Sequence, residues 1–355
     1  MNRAEALRAR AGLKASEGIY VTKPANLFYL TGYTGEGVLA VTSRRAVIVT
    51  DFRYTEQAAQ QAPSFEVEMI ERGTPHAALA WRIFEAEGVT DVLYEDDGVT
   101  VREFQALQKA MPGAAFRPLQ GVPEDMRKVK DEGEIASIRK ACAISCEAFQ
   151  ELLTFVKAGM TEKEAQLHLD YTMLSLGADA LAFHTIAAAG AHGSLPHAVP
   201  SDRVICEGDM LTLDFGARKN GYDADMTRTI AFGEPSAEMK RVYETVLQAQ
   251  LECEAMLRPG ASCREIDAHA RRVIDGAGYA GRFGHGLGHG VGIDIHEQPR
   301  LSTTSEDLLF PGHIVTVEPG IYIPGLGGVR IEDTCVITED GFESLVTAPK
   351  ELLIL

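Results

Sequence analysis

Three histidines, His285, His289 and His296, share the stretch 284–299, GHGLGHGVGIDIHEQP, with five glycines. Imidazole carries protons and binds metals. Glycine at this density lets a backbone approach something closely or adopt positive φ, at an entropic cost that a mere core segment has no reason to carry. Pairs of carboxylates flank the stretch. Upstream, Asp214 and Asp225 lie in LTLDFGARKNGYDADMTRT, two strand-like runs around a turn signal containing Asn220-Gly221. With residues 218–221 as the loop the two aspartates would face each other; with Asn220-Gly221 alone as the turn they would be diagonal neighbours. Either register puts both on one face, because strand side chains alternate with period two. Downstream, in VTVEPGIYIPGLGGVRIEDTCVIT, Glu318 ends an apolar strand and Glu332 is expected on the returning strand, two residues after Arg330 and on its face.

Acids opposed across a strand pair repel each other, and burying four of them without counterions is prohibitive. LTLDF is apolar on both sides of Asp214, which reads as a buried strand and not a solvated face. The set therefore calls for cations. Four carboxylates and one histidine of the glycine-rich stretch form an oxygen-rich site with one nitrogen ligand, which suits hard or borderline divalent ions such as Mn, Co or Zn. H-x-x-x-H alone is a weak signal; between two acid pairs it becomes a strong one.

The elements that must position these groups show an internal repeat. DRVICEGDMLTLDFG (202–216) and EDLLFPGHIVTVEPG (306–320) match Gly208 with Gly312, Thr212 with Thr316, Asp214 with Glu318 and Gly216 with Gly320. Residues 123–355 thus read as an α+β domain of two similar halves, each placing a carboxylate late in an apolar strand. Helices are expected in DEGEIASIRKACAISCEAFQELLTFVK, after a Thr161/Glu164 capping box, and over 237–257 and 263–276, with strands over 183–229 and again beyond the glycine-rich stretch. A segment rich in Pro and Gly at 118–123 marks the boundary with an α/β domain, residues 1–122. In that domain VLAVTSRRAVIVTDF reads as a hairpin turning near 43–45, and EQAAQQA, PHAALAWRIFEAEG and TVREFQALQKA read as helices.

Composition narrows the function. With 45% hydrophobic and 24% charged residues, the 355-residue chain reads as globular. Its 34 basic and 51 acidic residues give a formal charge of −17, which repels phosphate backbones and argues against nucleic acid as a partner. Six cysteines without a C-x-x-C pair argue against a zinc ribbon and suit a reducing compartment; all six read as small buried thiols. The charged start MNRAEALRARAGLKASEG has no apolar secretion core, and no run approaches the roughly 18 apolar residues of a membrane helix. No membrane association and a cytoplasmic location are expected.

Asp214…Asp225, HGLGHGVGIDIHEQP, VTVEPGIY and GVRIEDT stand in an order and at spacings that resemble the metal-dependent pita-bread peptidases, the family of Xaa-Pro dipeptidase (prolidase), aminopeptidase P and methionine aminopeptidase. FYLTGYTG and VTDFRYTEQA resemble the creatinase/prolidase-type N-terminal domain, so the likeness covers essentially the whole chain. It implies a pita-bread catalytic domain binding two divalent ions, manganese foremost, through Asp214, Asp225, His289, Glu318 and Glu332, with Asp225 and Glu332 bridging. It further implies that His197, in SLPHAVPSD, and His296 hold the scissile carbonyl and stabilise the tetrahedral intermediate. Arg330 would orient a bridging ligand or reach substrate, and Arg300 would grip a product carboxylate; His285, His192 and His184 read as packing or supporting groups. Two ions about 3.5–4 Å apart share a water and lower its pKa towards about 7, with Glu318 shuttling the proton to the leaving imino nitrogen.

The activity implied is hydrolysis of the bond between an N-terminal residue and proline in short peptides, by a homodimer. A dipeptidase is expected, given the short N-terminal domain, with an aminopeptidase acting on longer peptides as the alternative. A metal-free creatinase-like hydrolase and a non-catalytic interaction module are disfavoured because all five ligand positions are filled.

Overall fold

In the computed structural model, which describes residues 2–355, the chain divides into two compact units, one ending at Arg127 and the other spanning Lys128–Leu355. The first unit contains β1 (Glu17–Val21), β2 (Val38–Val41), β3 (Ala46–Thr50), β4 (Glu66–Met69), β5 (Asp91–Tyr94) and β6 (Ala115–Pro118) in one sheet ordered β4-β3-β2-β1-β5-β6. Val41 pairs with Ala46, and Thr42 N donates to Arg45 O at 2.9 Å, so the hairpin turns where the polar run SRR interrupts the apolar alternation. Helix His76–Ala86 buries Ala77, Ala80, Trp81, Ile83 and Phe84. These join Val47, Val49 and Val92 in this unit's core.

The second unit opens with helix Glu132–Phe155, capped by Asp131 with Glu134 reaching back, and helix Glu162–Ser175, capped by the Thr161/Glu164 box. Each such cap contributes about 0.5–2 kcal/mol. Next come β7 (Ala180–Leu181), β8 (Ile186–Ala189), β9 (Met210–Phe215), β10 (Ala217–Lys219), β11 (Tyr222–Asp223) and β12 (Met226–Ala231), forming sheets ordered β11-β10-β7 and β12-β9-β8. Helices Ala237–Glu254 and Cys263–Ile274 follow. After them come β13 (Gly288–Gly290), β14 (Glu297–Leu301), β15 (Ile314–Val317), β16 (Gly320–Ile323), β17 (Gly327–Arg330), β18 (Asp333–Ile337) and β19 (Phe342–Ser344). Five of these form a sheet ordered β14-β13-β15-β18-β19, while β16 and β17 form a ribbon of their own. The two later helices pack Val246, Ile266 and Ile274 against Val315, Ile321 and Ile331 in one apolar core.

The sequence repeat is a structural repeat. Gly208 and Gly312, entering β9 and β15, both hold φ +85°, a conformation open to glycine at no steric cost. The first half settles the turn left open by the sequence: Lys219 pairs with Tyr222, leaving Asn220 (φ +53°) and Gly221 (φ +79°) as a two-residue turn whose positive φ angles match strand twist. In this register Asp214 pairs with Thr227, so Asp214 and Asp225 are diagonal neighbours on one face.

The second half differs from expectation. Glu332 does not lie within a returning strand but between β17 and β18, where its backbone bridges to Thr227 of the other half and Glu332 N donates to Thr227 O at 3.1 Å. The β15–β18 and β16–β17 ladders share one register, so Glu318 and Glu332 fall opposite each other in the gap between them. A second difference concerns the cysteines: five are buried, but Cys206 is exposed, in the tight turn that Asp209 N closes onto Cys206 O. Among the described residues no helix is long and apolar enough to cross a membrane.

Candidate metal centre

Within the second unit a cavity of about 690 Å³ is lined by Asp214, Asp225, His289, Glu318 and Glu332, the five side chains singled out as ligands. His197, His296, His285, Arg300 and Arg330 line it as well. The sequence-chosen groups from both halves and from the glycine-rich stretch therefore converge on one cleft. Asp225, Glu332 and His289 are buried, at 5%, 1% and 7% exposure. One potential ligand atom from each lies within 4.8 Å of the other two.

The glycines of 284–299 act by close approach and not by positive φ, since none of them adopts it. A Cβ on Gly288 would overlap the Thr316 carbonyl, and one on Gly290 would overlap the Gln298 carbonyl. The strand carrying His289 thereby presses between β15 and β14.

His289 Nδ1 donates to Gly290 O at 3.0 Å. Its Nε2 lies 3.3 Å from Glu318 Oε1 and 3.5 Å from Asp225 Oδ2, facing two carboxylates at once. An imidazole nitrogen set among carboxylate oxygens in this way is the donor set of a divalent-cation site. Two buried oxygens, Asp214 Oδ1 and Glu332 Oε1, have no hydrogen-bond partner, a costly state for carboxylates. Both features fit divalent cations bound by oxygens and one imidazole nitrogen.

Titration of the acids reflects the same crowding. Burial, reinforced by neighbouring carboxylates, pushes Asp225 and Glu332 well above the usual range. Burial also raises Asp214, although the Arg330 guanidinium opposes it. For Glu318 burial is again upward, yet the hydrogen bond and charge of His289 outweigh it and bring the carboxyl down to about 2.

Buried Arg330 organises one side of the cleft. Its Nη2 donates to Asp214 Oδ2 at 2.6 Å, Nη1 to Tyr322 Oη at 2.9 Å, and Nε to Thr227 Oγ1 at 3.1 Å. Thr227 Oγ1 in turn donates to Glu332 Oε2 at 2.6 Å, so one guanidinium fixes acids of both halves. Tyr322 Oη and His285 Nε2 are 2.9 Å apart, and His285 Nδ1 donates to Gly286 O at 2.8 Å, which makes Nε2 the acceptor. Burial lowers the His285 pKa and keeps the ring neutral. His296 stands edge-on to His289, centroids 4.4 Å apart, and burial together with that neighbour lowers its pKa too.

Sequence reasoning missed the groups that hold these loops. Asp267 accepts from Leu287 N and pairs with Arg271, which donates to the carbonyls of Phe283 and His285. Glu297, bound by Lys130 at 3.0 Å, accepts from Ile293 N and Asp294 N beside His296. Arg228 uses all five donors: on Thr227 O, Glu332 O, Asp333 Oδ1, Ala348 O and Pro349 O. Lys350 adds ion pairs to Asp333 and Glu254. The contacts that join separate segments, Asp267 to Leu287, Lys130 to Glu297 and Arg228 to Glu332 and Ala348, link residues 20 to 167 positions apart, so no local pattern reveals them.

A duplicated α+β unit with an acid-rich, one-imidazole cleft defines a metal-dependent enzyme fold, and comparison with known proteins specifies which. The profile of metallopeptidase family M24 matches residues 136–339, and that of the creatinase/prolidase N-terminal domain matches residues 3–129. An Xaa-Pro dipeptidase of Pyrococcus furiosus is 36% identical over 341 residues, 94% of each chain. Among solved structures, an Xaa-Pro dipeptidase from Bacillus anthracis superposes with a TM-score of 0.95 at 40% identity, covering 99% of both chains. An X-Pro aminopeptidase from Thermotoga maritima superposes at 0.91 with 35% identity, covering 99% of this chain and all of that one. The chain belongs to metallopeptidase family M24, with a creatinase/prolidase N-terminal domain, and the resemblance and fold class expected from its motifs are borne out.

Proposed function

We propose that the protein is an Xaa-Pro dipeptidase, a prolidase, working on two divalent cations held by Asp214, Asp225, His289, Glu318 and Glu332. The observation that carries this reading is the pair of buried carboxylate oxygens without a hydrogen-bond partner, Asp214 Oδ1 and Glu332 Oε1, in the cleft that His289 also lines. Xaa-Pro dipeptidases at 36% and 40% identity support the substrate class.

Two bound cations would supply Lewis acidity and a water acidified to a pKa of about 7. Asp225 and Glu332, the more deeply buried of the four acids of the cleft, would hold the cations with Asp214 and Glu318, and His289 would supply the one nitrogen ligand. Glu318 takes the proton of the attacking water and delivers it to the proline nitrogen as the bond breaks. His197 and His296, both exposed to the cleft, donate to the carbonyl oxygen as it becomes anionic, each worth several kcal/mol. Phe183, Ile186 and Ile295 line the same cleft and offer an apolar surface to the pyrrolidine ring. Proline makes a tertiary amide without N–H, so recognition relies on that ring and not on a backbone hydrogen bond. Arg300 meets the terminal carboxylate, which is what makes a dipeptide the preferred length.

Manganese is the inferred native ion, and a cytoplasmic homodimer the inferred working form; six unpaired cysteines fit a reducing compartment. Metal analysis of the purified protein, with Ala-Pro hydrolysis assayed before and after chelation, tests the reading. Activity that survives complete metal removal refutes it. Faster turnover of Ala-Pro-Ala than of Ala-Pro would replace dipeptidase by aminopeptidase.

A further inference from the structure

Glu162 is the first residue of helix Glu162–Ser175 and has no exposed surface, yet it belongs to neither the ligand set nor the cleft lining. Such a carboxylate ordinarily meets an arginine or lysine. Here it meets a loop instead. Glu162 Oε1 accepts from Ala189 N at 2.8 Å and from His192 Nδ1 at 2.8 Å. Oε2 accepts from Ser201 N at 3.1 Å and Ser201 Oγ at 2.7 Å, with His192 Nδ1 also within 2.9 Å. Ala189 and Ser201 are the two ends of one excursion of the chain, and His192 lies within it. One carboxylate therefore ties both feet of the loop and a side chain inside it.

The excursion carries His197 into the cleft. Its middle is held from the other side: Arg330 Nη1 donates to Pro196 O at 3.3 Å, and a Cβ on Gly328 would overlap the Gly193 carbonyl, so the two backbones touch. Outside the loop, backbone bonds from Glu162 N to Arg203 O and Lys163 N to Ser201 O set the second foot on the same helix turn. The His197 side chain is exposed to the cleft. Its position is set by the backbone that carries it, pinned at the middle by Arg330 and Gly328 and at both feet by Glu162.

We infer that Glu162 is a positioning residue, whose carboxylate sets where His197 meets the substrate carbonyl. The inference rests on the reading of His197 as that oxyanion donor. Each carboxylate oxygen receives at least two donors, so Glu162→Gln must turn an amide N–H₂ against donors at one foot while preserving shape and volume. A displacement of about 1 Å at a reacting group costs about a hundredfold in rate.

The test uses the manganese-loaded full chain with Ala-Pro as substrate, and reads kcat, KM, bound metal and amide hydrogen exchange. Glu162→Gln is expected to lower kcat about a hundredfold, with KM and metal content within about twofold of wild type. In the His197→Ala background the same change is expected to cost nothing further, because the group it positions is gone. Exchange over residues 189–201 is expected to accelerate. A kcat within about twofold of wild type, or an undiminished loss in the His197→Ala background, overturns the inference. If wild type does not hydrolyse Ala-Pro, the proposed function fails, and exchange alone decides the clasp: unchanged exchange in Glu162→Gln refutes it. Should that variant not fold, Ser201→Ala removes a single hydroxyl donor from an exposed position, with an expected threefold to tenfold fall in kcat, roughly; no fall refutes the clasp.

Discussion

Replacing Arg330 by methionine gives a measure of how much charge the cleft stores. The guanidinium is 4% exposed and pairs with Asp214 at 2.6 Å, and it also supports Tyr322, Thr227 and the Pro196 carbonyl. Methionine fills much of the same volume, so the cavity penalty is small and the loss is electrostatic. Breaking a buried pair by removing one partner costs about 3–5 kcal/mol. For a domain of this size each kcal/mol moves the melting temperature by about 2–4 °C. Metal-free Arg330→Met should therefore melt roughly 6–20 °C below the metal-free parent at pH 7. Cations bound beside Asp214 would replace the missing positive charge, so saturating manganese should at least halve the deficit. Arg330→Lys, which keeps the charge but not the planar fork, should fall between. Differential scanning calorimetry of the three proteins with chelator and with manganese checks this. A deficit below about 2 °C without metal, or an equal deficit in both states, refutes the reasoning.

Three further outcomes are expected. His289→Ala and Asp225→Asn should lose bound metal together with activity, whereas His197→Ala should keep its metal and lose mainly kcat; metal analysis beside steady-state kinetics separates them. Arg300→Ala should raise KM for Ala-Pro about tenfold at unchanged metal content, with little effect on Ala-Pro-amide, whose carboxylate is blocked; equal effects on the two substrates would remove Arg300 from carboxylate binding. In the metal-free protein the raised pKa values of Asp214, Asp225 and Glu332 contribute stability that is complete below the ordinary carboxylate range and is lost as pH climbs through the raised values. Glu318, lowered to about 2, has the opposite sign and changes only under stronger acid. The melting-temperature gap between manganese-loaded and chelated protein should consequently widen from pH 5 to pH 8, a trend that calorimetry at several pH values would confirm or reverse.

What could be read in the chain was whatever the chain writes locally. Thr161 and Glu164 announce a helix start because a capping box spans only four residues. The convergence of Asp214, Asp225, Glu318 and Glu332 was legible because a strand's period of two fixes which side chains share a face, and the repeat places the second pair by analogy with the first. The turn at Asn220-Gly221 stayed open between two registers, since the choice depends on how Lys219 and Tyr222 pair and not on composition alone. Glu332 was misplaced onto a strand because its backbone partner, Thr227, belongs to the other half, more than a hundred residues away. Comparable distance hides Lys130 and Arg228, and shorter but still non-local contacts hide Tyr322 and Asp267: each is an ordinary residue until the fold brings its partner to it. Cys206 failed the general preference of cysteine for the interior because a turn, and not a core, claims its position.

Arg228 ties the order of synthesis to the assembly of the site. Its guanidinium holds the backbone carbonyls of Thr227 and Glu332 with two contacts, and spends two others on Ala348 and Pro349. A ribosome makes Asp214, Asp225, His289 and Glu318 well before it reaches those carbonyls. A nascent chain halted between residues 333 and 347 has every acid and imidazole of the cleft but lacks the strap that secures Glu332. The molecule can therefore finish its working centre only after Ala348 and Pro349 have been translated.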